Sequence, residues 1–227
     1  MNQRRIFVYG AGGHGKVVAD LLVSRGENEF AGFVDDCEEL WGAKVMGFAV
    51  LGGGEWLQWE AGSARIAIAL GIGDNASRHW IAESCAYWGA EILTVVHPRA
   101  AVSRAARVGR GSVLMANATV NVDAVVGDGV IVNSGAVVEH DVEVGEYAHV
   151  APNAAMGGGS SLGAFSHLGI GASVLPCVHI GARSVVGAGA VVVRNLPDEV
   201  VAIGIPARIH RQDMQGVGPV LTEASRT

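Results

Sequence analysis

Glu139-His140-Asp141 sets an imidazole between two carboxylates, off the core positions of the chain's repeat, where a histidine is either a solvated side chain or a proton acceptor. An imidazole with its ordinary pKa of about 6.5 accepts a proton near neutral pH. A carboxylate on its far nitrogen would fix the tautomer and steady the imidazolium. Neighbouring residues on a strand face opposite ways, so Asp141 reaches His140 only at a corner of the chain or from another chain. A second group of residues suits an anion. Gly10, Gly12 and Gly15 satisfy G-x-G-x-x-G, and Asp35 and Asp36 follow about twenty residues later, as in a dinucleotide fingerprint. The N–H groups of Gly12, Gly13 and His14 would open a helix, where backbone and dipole favour phosphate. Asp35 and Asp36 would end a strand and accept hydrogen bonds from ribose or base. A plain strand–helix turn accounts for the same glycines.

Two kinds of element must hold these residues. Arg5–Tyr9, Ala31–Val34, Ile66–Leu70 and Glu91–Val96 read as strands, with helices over Val17–Val23 and around Ala76–Tyr87. Strand, glycine loop, helix, strand and acid make a βαβ unit with a parallel sheet. From Val102 to Val192 an aliphatic residue instead recurs at every sixth position, as in Val120, Val126, Val132, Val138, Val144 and Val150. Neither a helix nor a plain strand has that period. Three hexads make one triangular coil, with the aliphatics inside, small residues at the bends, and the glycines that follow them (Gly109, Gly127, Gly145, Gly163) expected to take unusual dihedrals at the corners. The fold class is therefore an α/β N-terminal domain with a small Rossmann-like βαβ sheet, followed by a left-handed parallel β-helix. The expected domains are 1–96, 97–211 and a flexible tail, 212–227. His140 lies off the inward series and belongs on the outer wall, and His149 lies half a coil away, on another side of the prism.

The hexads, which close in Gly204-Ile205-Pro206-Ala207-Arg208, resemble the hexapeptide-repeat acyltransferases, whose active sites lie between the prisms of a trimer. The order of domains, with G-x-G-G-H-x-K, the Asp pair and Ile72-Gly73-Asp74-Asn75-x-x-Arg78, narrows this further. It resembles the sialic-acid O-acetyltransferase and nucleotide-amino-sugar N-acetyltransferase family, including the bacillosamine- and perosamine-pathway enzymes. The resemblance implies His140 as base with Asp141 as its partner. It implies acetyl-CoA contacts at His149, Gly158, Ile170, Ala188, Pro206 and Arg208. For Gly158 the implied contact is an N–H facing the thioester carbonyl. The front domain would hold the nucleotide of a nucleotide sugar through Gly10, Gly12, Gly13, His14, Lys16, Asp35, Asp36, Gly73, Asn75 and Arg78. Asn133 is a sugar-binding candidate or a corner cap, and His167 a lining residue or a bystander.

Composition narrows the setting. The 227 residues carry a formal net charge of −6, with scattered Lys and Arg, which gives no support to nucleic-acid binding. Cys37, Cys85 and Cys177 have no metal spacing and an odd number, which fits reduced thiols in a cytoplasm. No membrane partner and no metal are expected. The expected activity is acetyl transfer from acetyl-CoA to the amino group of a nucleotide-linked amino-deoxy sugar for surface glycan, by a homotrimer. Sugar O-acetylation and a non-catalytic sugar-nucleotide scaffold are the alternatives, and one mononucleotide-sized half argues against an NAD enzyme. The base, the sugar, and the part played by Trp41, Trp56 and Trp59 (packing or stacking platform) stay open. His79, His179 and His210 are expected at the surface or as caps.

Overall fold

The computed structural model describes residues 4–27 and 29–211; the tail expected at 212–227 lies outside the described residues. Ile6, Phe7 and Val8 of β1 (Arg5–Tyr9) are fully buried, because a parallel sheet is covered on both faces and its strands need continuous apolar runs. α1 (Gly13–Ser24) and β2 (Phe30–Val34) follow. A short hairpin, β3 (Lys44–Val45) and β4 (Phe48–Ala49), leads to α2 (Gly54–Ala61). β5 (Ile66–Leu70), α3 (Asn75–Tyr87) and β6 (Glu91–Ile92) complete the domain. The parallel sheet has the order β2-β1-β5-β6. The chain leaves β1 toward β2 on one side, while β5 lies on the other. The carboxyl ends of β1 and β5 thus flank the crevice where open α/β sheets take their ligands. α1 starts earlier than expected, at Gly13. Its Gly15 can have no side chain, since a Cβ there would overlap the Gly10 carbonyl.

The strand expected over Glu91–Val96 is two strands. Glu91–Ile92 pairs with β5, whereas Val95–Val96 pairs with Val113–Leu114. Val96 therefore extends the hexad series by one step, and the prism begins just before the expected boundary. Its strands pair in parallel with partners one coil on, as in Ile131↔His149↔His167↔Val185, on three separate faces. Leu114, Val132, Val138, Val150, Met156, Leu168, Val186 and Val192 have no more than 0% exposure and fill the inside.

The reason expected for the glycines needs correction. The left-handed residues are not those that directly follow the core aliphatic but others two positions later: Asn117, Asp123, Asp141, Tyr147, Asn153, Phe165, Cys177 and Arg183 all have positive φ. The glycines after the core residue serve coil stacking instead. A Cβ on Gly145 would lie 2.4 Å from the Ala164 nitrogen of the next coil, well inside contact distance for strands about 4.8 Å apart.

The two domains share packing. Val95, Val113 and Met115 of the prism join the cluster of Ile6, Val18 and Phe33, and Tyr147 joins that of Phe7 and Leu70. The sheet and one prism face form one seam.

Candidate functional site

His140 and Asp141 form the corner between the strand Val137–Val138 and the strand Glu143–Val144. Asp141 has φ 58°, so the chain bends there and the alternation of strand side chains is broken. His140 Nδ1 and Asp141 Oδ2 lie 2.7 Å apart within one chain, which answers how neighbours can meet. An ionised carboxylate only accepts, so Nδ1 carries the proton and Nε2 presents its lone pair. The hydrogen bond that His140 donates to Asp141 raises its pKa above the ordinary value, helped by the charges of Asp141 and Glu139. The His140 side chain is 58% exposed. Gly158 stands one coil on, and a Cβ there would come within 2.5 Å of His140 Cε1 and Nε2. Only glycine leaves room for the ring.

The glycine loop has the other kind of geometry. Gly12 caps α1 without a side-chain hydrogen bond, and a Cβ on Gly12 or Gly13 would touch nothing. Their backbone is approachable, as an anion at a helix N-terminus requires. Asp35 Oδ2 accepts from the Ala11 N–H at 2.7 Å and so pins the loop, while Asp36 accepts from Tyr9 Oη and from the Gly54 N–H. Beyond the ends of β1 and β5, Tyr9, Asp35, Asp36, Ile72, Ser77 and Trp80 line a cavity of about 380 Å³.

A third cluster lies in the seam. Arg78 is 0% exposed. Its Nε donates to the Gly129 carbonyl, Nη1 to those of Ile72 and Gly73, and Nη2 to Asn75 Oδ1 and the carbonyls of Tyr147 and Ala148. Asn75 Nδ2 donates to the carbonyls of Phe165 and Ser166. His149 is 7% exposed, with Asn133 Nδ2 3.0 Å from its Nε2 and a bond to the Gly73 backbone. His14 and His167 flank it, with ring centroids at 6.4 and 4.8 Å. Burial is the main cause that lowers the pKa of all three imidazoles, to about 4 for His14, and the Arg78 charge adds to it. They are neutral at pH 7. His14 Nε2 is sealed from solvent without a partner among the described residues.

The PglD N-terminal domain model matches residues 5–85, and the bacterial transferase hexapeptide model (six repeats) matches residues 123–158. The UDP-N-acetylbacillosamine N-acetyltransferase of Bacillus subtilis (strain 168) is 36% identical over 121 residues, which is 50% of this chain and 52% of that protein. The chain thus matches about half the length of this curated relative. The structure of PerB from Caulobacter crescentus, in complex with CoA and GDP-perosamine, is 39% identical with a TM-score of 0.85, over 91% of this chain and 97% of that one. This chain belongs to the hexapeptide-repeat sugar N-acetyltransferases. Another solved member, the acetyltransferase domain of PglB from Neisseria gonorrhoeae FA1090 in complex with acetyl coenzyme A, is 36% identical with a TM-score of 0.85. It matches over 92% of this chain and 100% of that one.

Within this acetyltransferase the expected site residues fall into separate groups. His140, Asp141 and Gly158 come together. Gly10, Gly12, Gly13, His14 and Lys16 form the loop and first turn, with Lys16 exposed, and Asp35 and Asp36 stand at the cavity. For Arg78 the expectation of a nucleotide contact is corrected: all its N–H groups are spent on carbonyl and amide oxygens, so it is a clamp between domains. Asn75 and the Gly73 carbonyl do the same work. Asn133 is a corner cap, with Oδ1 accepting from the Ser134 N–H at 2.8 Å, and its amide faces His149, not His140. Ile170 is 57% exposed, and Ala188, Pro206 and Arg208 are also exposed.

Other expectations change too. His79 is half-buried and packs edge-on against Tyr147 and Phe165, while His179 and His210 are exposed. Trp56 packs on Phe7, Trp41 Nε1 donates to the Asp35 carbonyl, and Trp59 is 71% exposed. Sequence reasoning missed Trp80 at the cavity; an aromatic in the first turns of the helix after β5 was the available signal. No helix among the described residues is long and apolar enough to cross a membrane.

Proposed function

We propose that this protein transfers acetyl from acetyl-CoA to the amino group of a nucleotide-linked amino-deoxy sugar, with His140 as general base. The observation that carries the reading is the His140–Asp141 pair at 2.7 Å on an open corner. The neutral sugar amine attacks the thioester carbonyl carbon, and a C–N bond forms. The C–S bond breaks, and CoA leaves as thiolate. His140 Nε2 takes the proton lost by nitrogen and returns it to sulfur, while Asp141 holds the imidazolium. The Gly158 N–H is the candidate donor to the carbonyl oxygen as charge develops there. The nucleotide is held by the front domain, its phosphates on the N–H groups of Gly12, Gly13 and His14.

The working unit in this reading is a homotrimer with acetyl-CoA between prisms. Val122 and Leu175, one coil before and two coils after the His140 corner, are 48% and 44% exposed, and such an apolar rim suits a neighbouring prism. Ile170, Ala188, Pro206 and Arg208 are assigned to acetyl-CoA; His149, buried in the seam against Asn133 and the Gly73 backbone, is left out of that assignment. The enzyme would work in the cytoplasm, on a sugar destined for surface glycan.

The test is a turnover assay with acetyl-CoA and a panel of nucleotide-linked amino sugars, following release of the CoA thiol. A hydroxylamine-resistant product made only from the nucleotide-linked amine is expected. A hydroxylamine-labile ester on a free sugar would replace this reading with O-acetylation, and binding without turnover would replace it with a scaffold.

A further inference from the structure

The cavity beyond β1 and β5 has one wall that the reaction above does not use. Trp80 on α3 is 72% exposed, a large area of indole to leave in water, and it lines the same cavity as the two carboxylates. The cavity adjoins the proposed phosphate loop, because Asp35, on its wall, accepts from the Ala11 N–H next to Gly12. A nucleotide with phosphates on that loop has its ribose and base directed here.

The remaining polar capacity of the wall is acceptor capacity. A carboxylate offers about four lone-pair sites. Asp35 spends two, on the N–H groups of Ala11 and Cys37. Asp36 receives Tyr9 Oη at 2.8 Å from each of its oxygens, and the Gly54 N–H at Oδ1. What is left asks for donors: ribose hydroxyls, and a base edge with N–H groups side by side. Guanine presents N1–H and its 2-amino group together. Uracil and thymine bracket a single N–H with two carbonyls, and adenine sets a bare N1 beside its amine. A purine also covers more of an indole face than a pyrimidine.

We propose that Trp80 is the platform on which the nucleobase stacks, and that the carboxylates lining the same cavity select guanine. This rests on the nucleotide-sugar reading of the front domain and adds its base and a specificity-determining residue. The experiment is calorimetry on the full chain with GDP, UDP, dTDP and ADP, with CoA titrated separately, for wild type, Trp80→Ala and Trp80→Phe. GDP is expected to bind wild type most tightly. Trp80→Ala should weaken it roughly tenfold to a hundredfold, the range that base–aromatic stacking contributes, with Trp80→Phe recovering most of the loss and CoA affinity unchanged in all three. Equal GDP affinity in wild type and Trp80→Ala overturns the platform, and UDP or dTDP binding as tightly as GDP overturns the guanine assignment. If no nucleoside diphosphate binds while CoA does, the nucleotide site itself falls, and this proposal with it.

Discussion

His140 and His149 stand nine residues apart on the same prism, yet their surroundings drive them in opposite directions. His140 sits on an open corner with a carboxylate at Nδ1, which raises its pKa. Burial in the seam pushes the His149 pKa well below the ordinary value, and the neighbouring His167, Arg78 and His14 add to it. One imidazole is prepared to take a proton, and the other is kept from it. Residue type gave both the same prospects; solvent and the nearest charge decide between them.

The largest expected effect separates the regions by activity. His140→Ala should lower kcat by about 10²–10⁴ while both substrates still bind and the fold is unchanged. Wild-type kcat/KM should rise with pH through one ionisation above the usual histidine value, and the variant should lose that limb. Asp141→Asn should cost less and move the limb to lower pH. Steady-state kinetics over pH checks this, and near-wild-type turnover of His140→Ala would move the base elsewhere.

The seam is expected to answer by stability. Arg78→Ala strands buried acceptors in both domains, and one such loss costs about 1–3 kcal/mol, so a total of at least about 3 kcal/mol is expected in urea unfolding. Arg78→Lys should recover little of it, since one ammonium cannot span the carbonyls of Ile72, Gly129 and Tyr147. A variant as stable as wild type would show that the clamp holds nothing.

The smallest effect is in acid. His14 titrates at about 4 when folded and near 6.5 when unfolded, and His149 and His167 shift the same way. Between those pH values the unfolded chain binds more protons, so stability is full above about 6.5 and falls as pH drops toward 4. His140, with its raised pKa, works in the opposite sense. Melting temperatures between pH 7 and 4 check the balance, and His14→Gln should flatten the fall.

The same contrast explains what the sequence could reveal. The hexads, β1 and β5 are local patterns, each legible in residue types at fixed spacing, while the His140–Asp141 pair comes from the family resemblance, and spacing leaves its meeting within one chain open. The seam was not legible. Arg78 and Asn75 bind carbonyls of Gly129, Tyr147 and Phe165, far along the chain, and a carbonyl is the same atom on every residue. Arg78 therefore read as a nucleotide-sugar contact, whereas its hydrogen bonds make it a clamp. The glycines after the core aliphatics were legible as a pattern but not as a cause, because the clash they avoid involves the next coil.

The left-handed corner at Asp141 has one more implication, for how such enzymes diversify. Asp tolerates that backbone conformation better than most residues, so the acid bonded to His140 is also an acceptable residue for the turn. One coil earlier, Asp123 occupies the same corner with φ 59° and follows Val122. A carboxylate is already in place there, but the residue one coil beyond Val122 is His140, whereas the one beyond His140 is Gly158. The wall thus offers the acid at two corners, Asp123 and Asp141, but room for a ring only at the second, so moving such a pair by one rung would take a glycine one coil on as well as an imidazole.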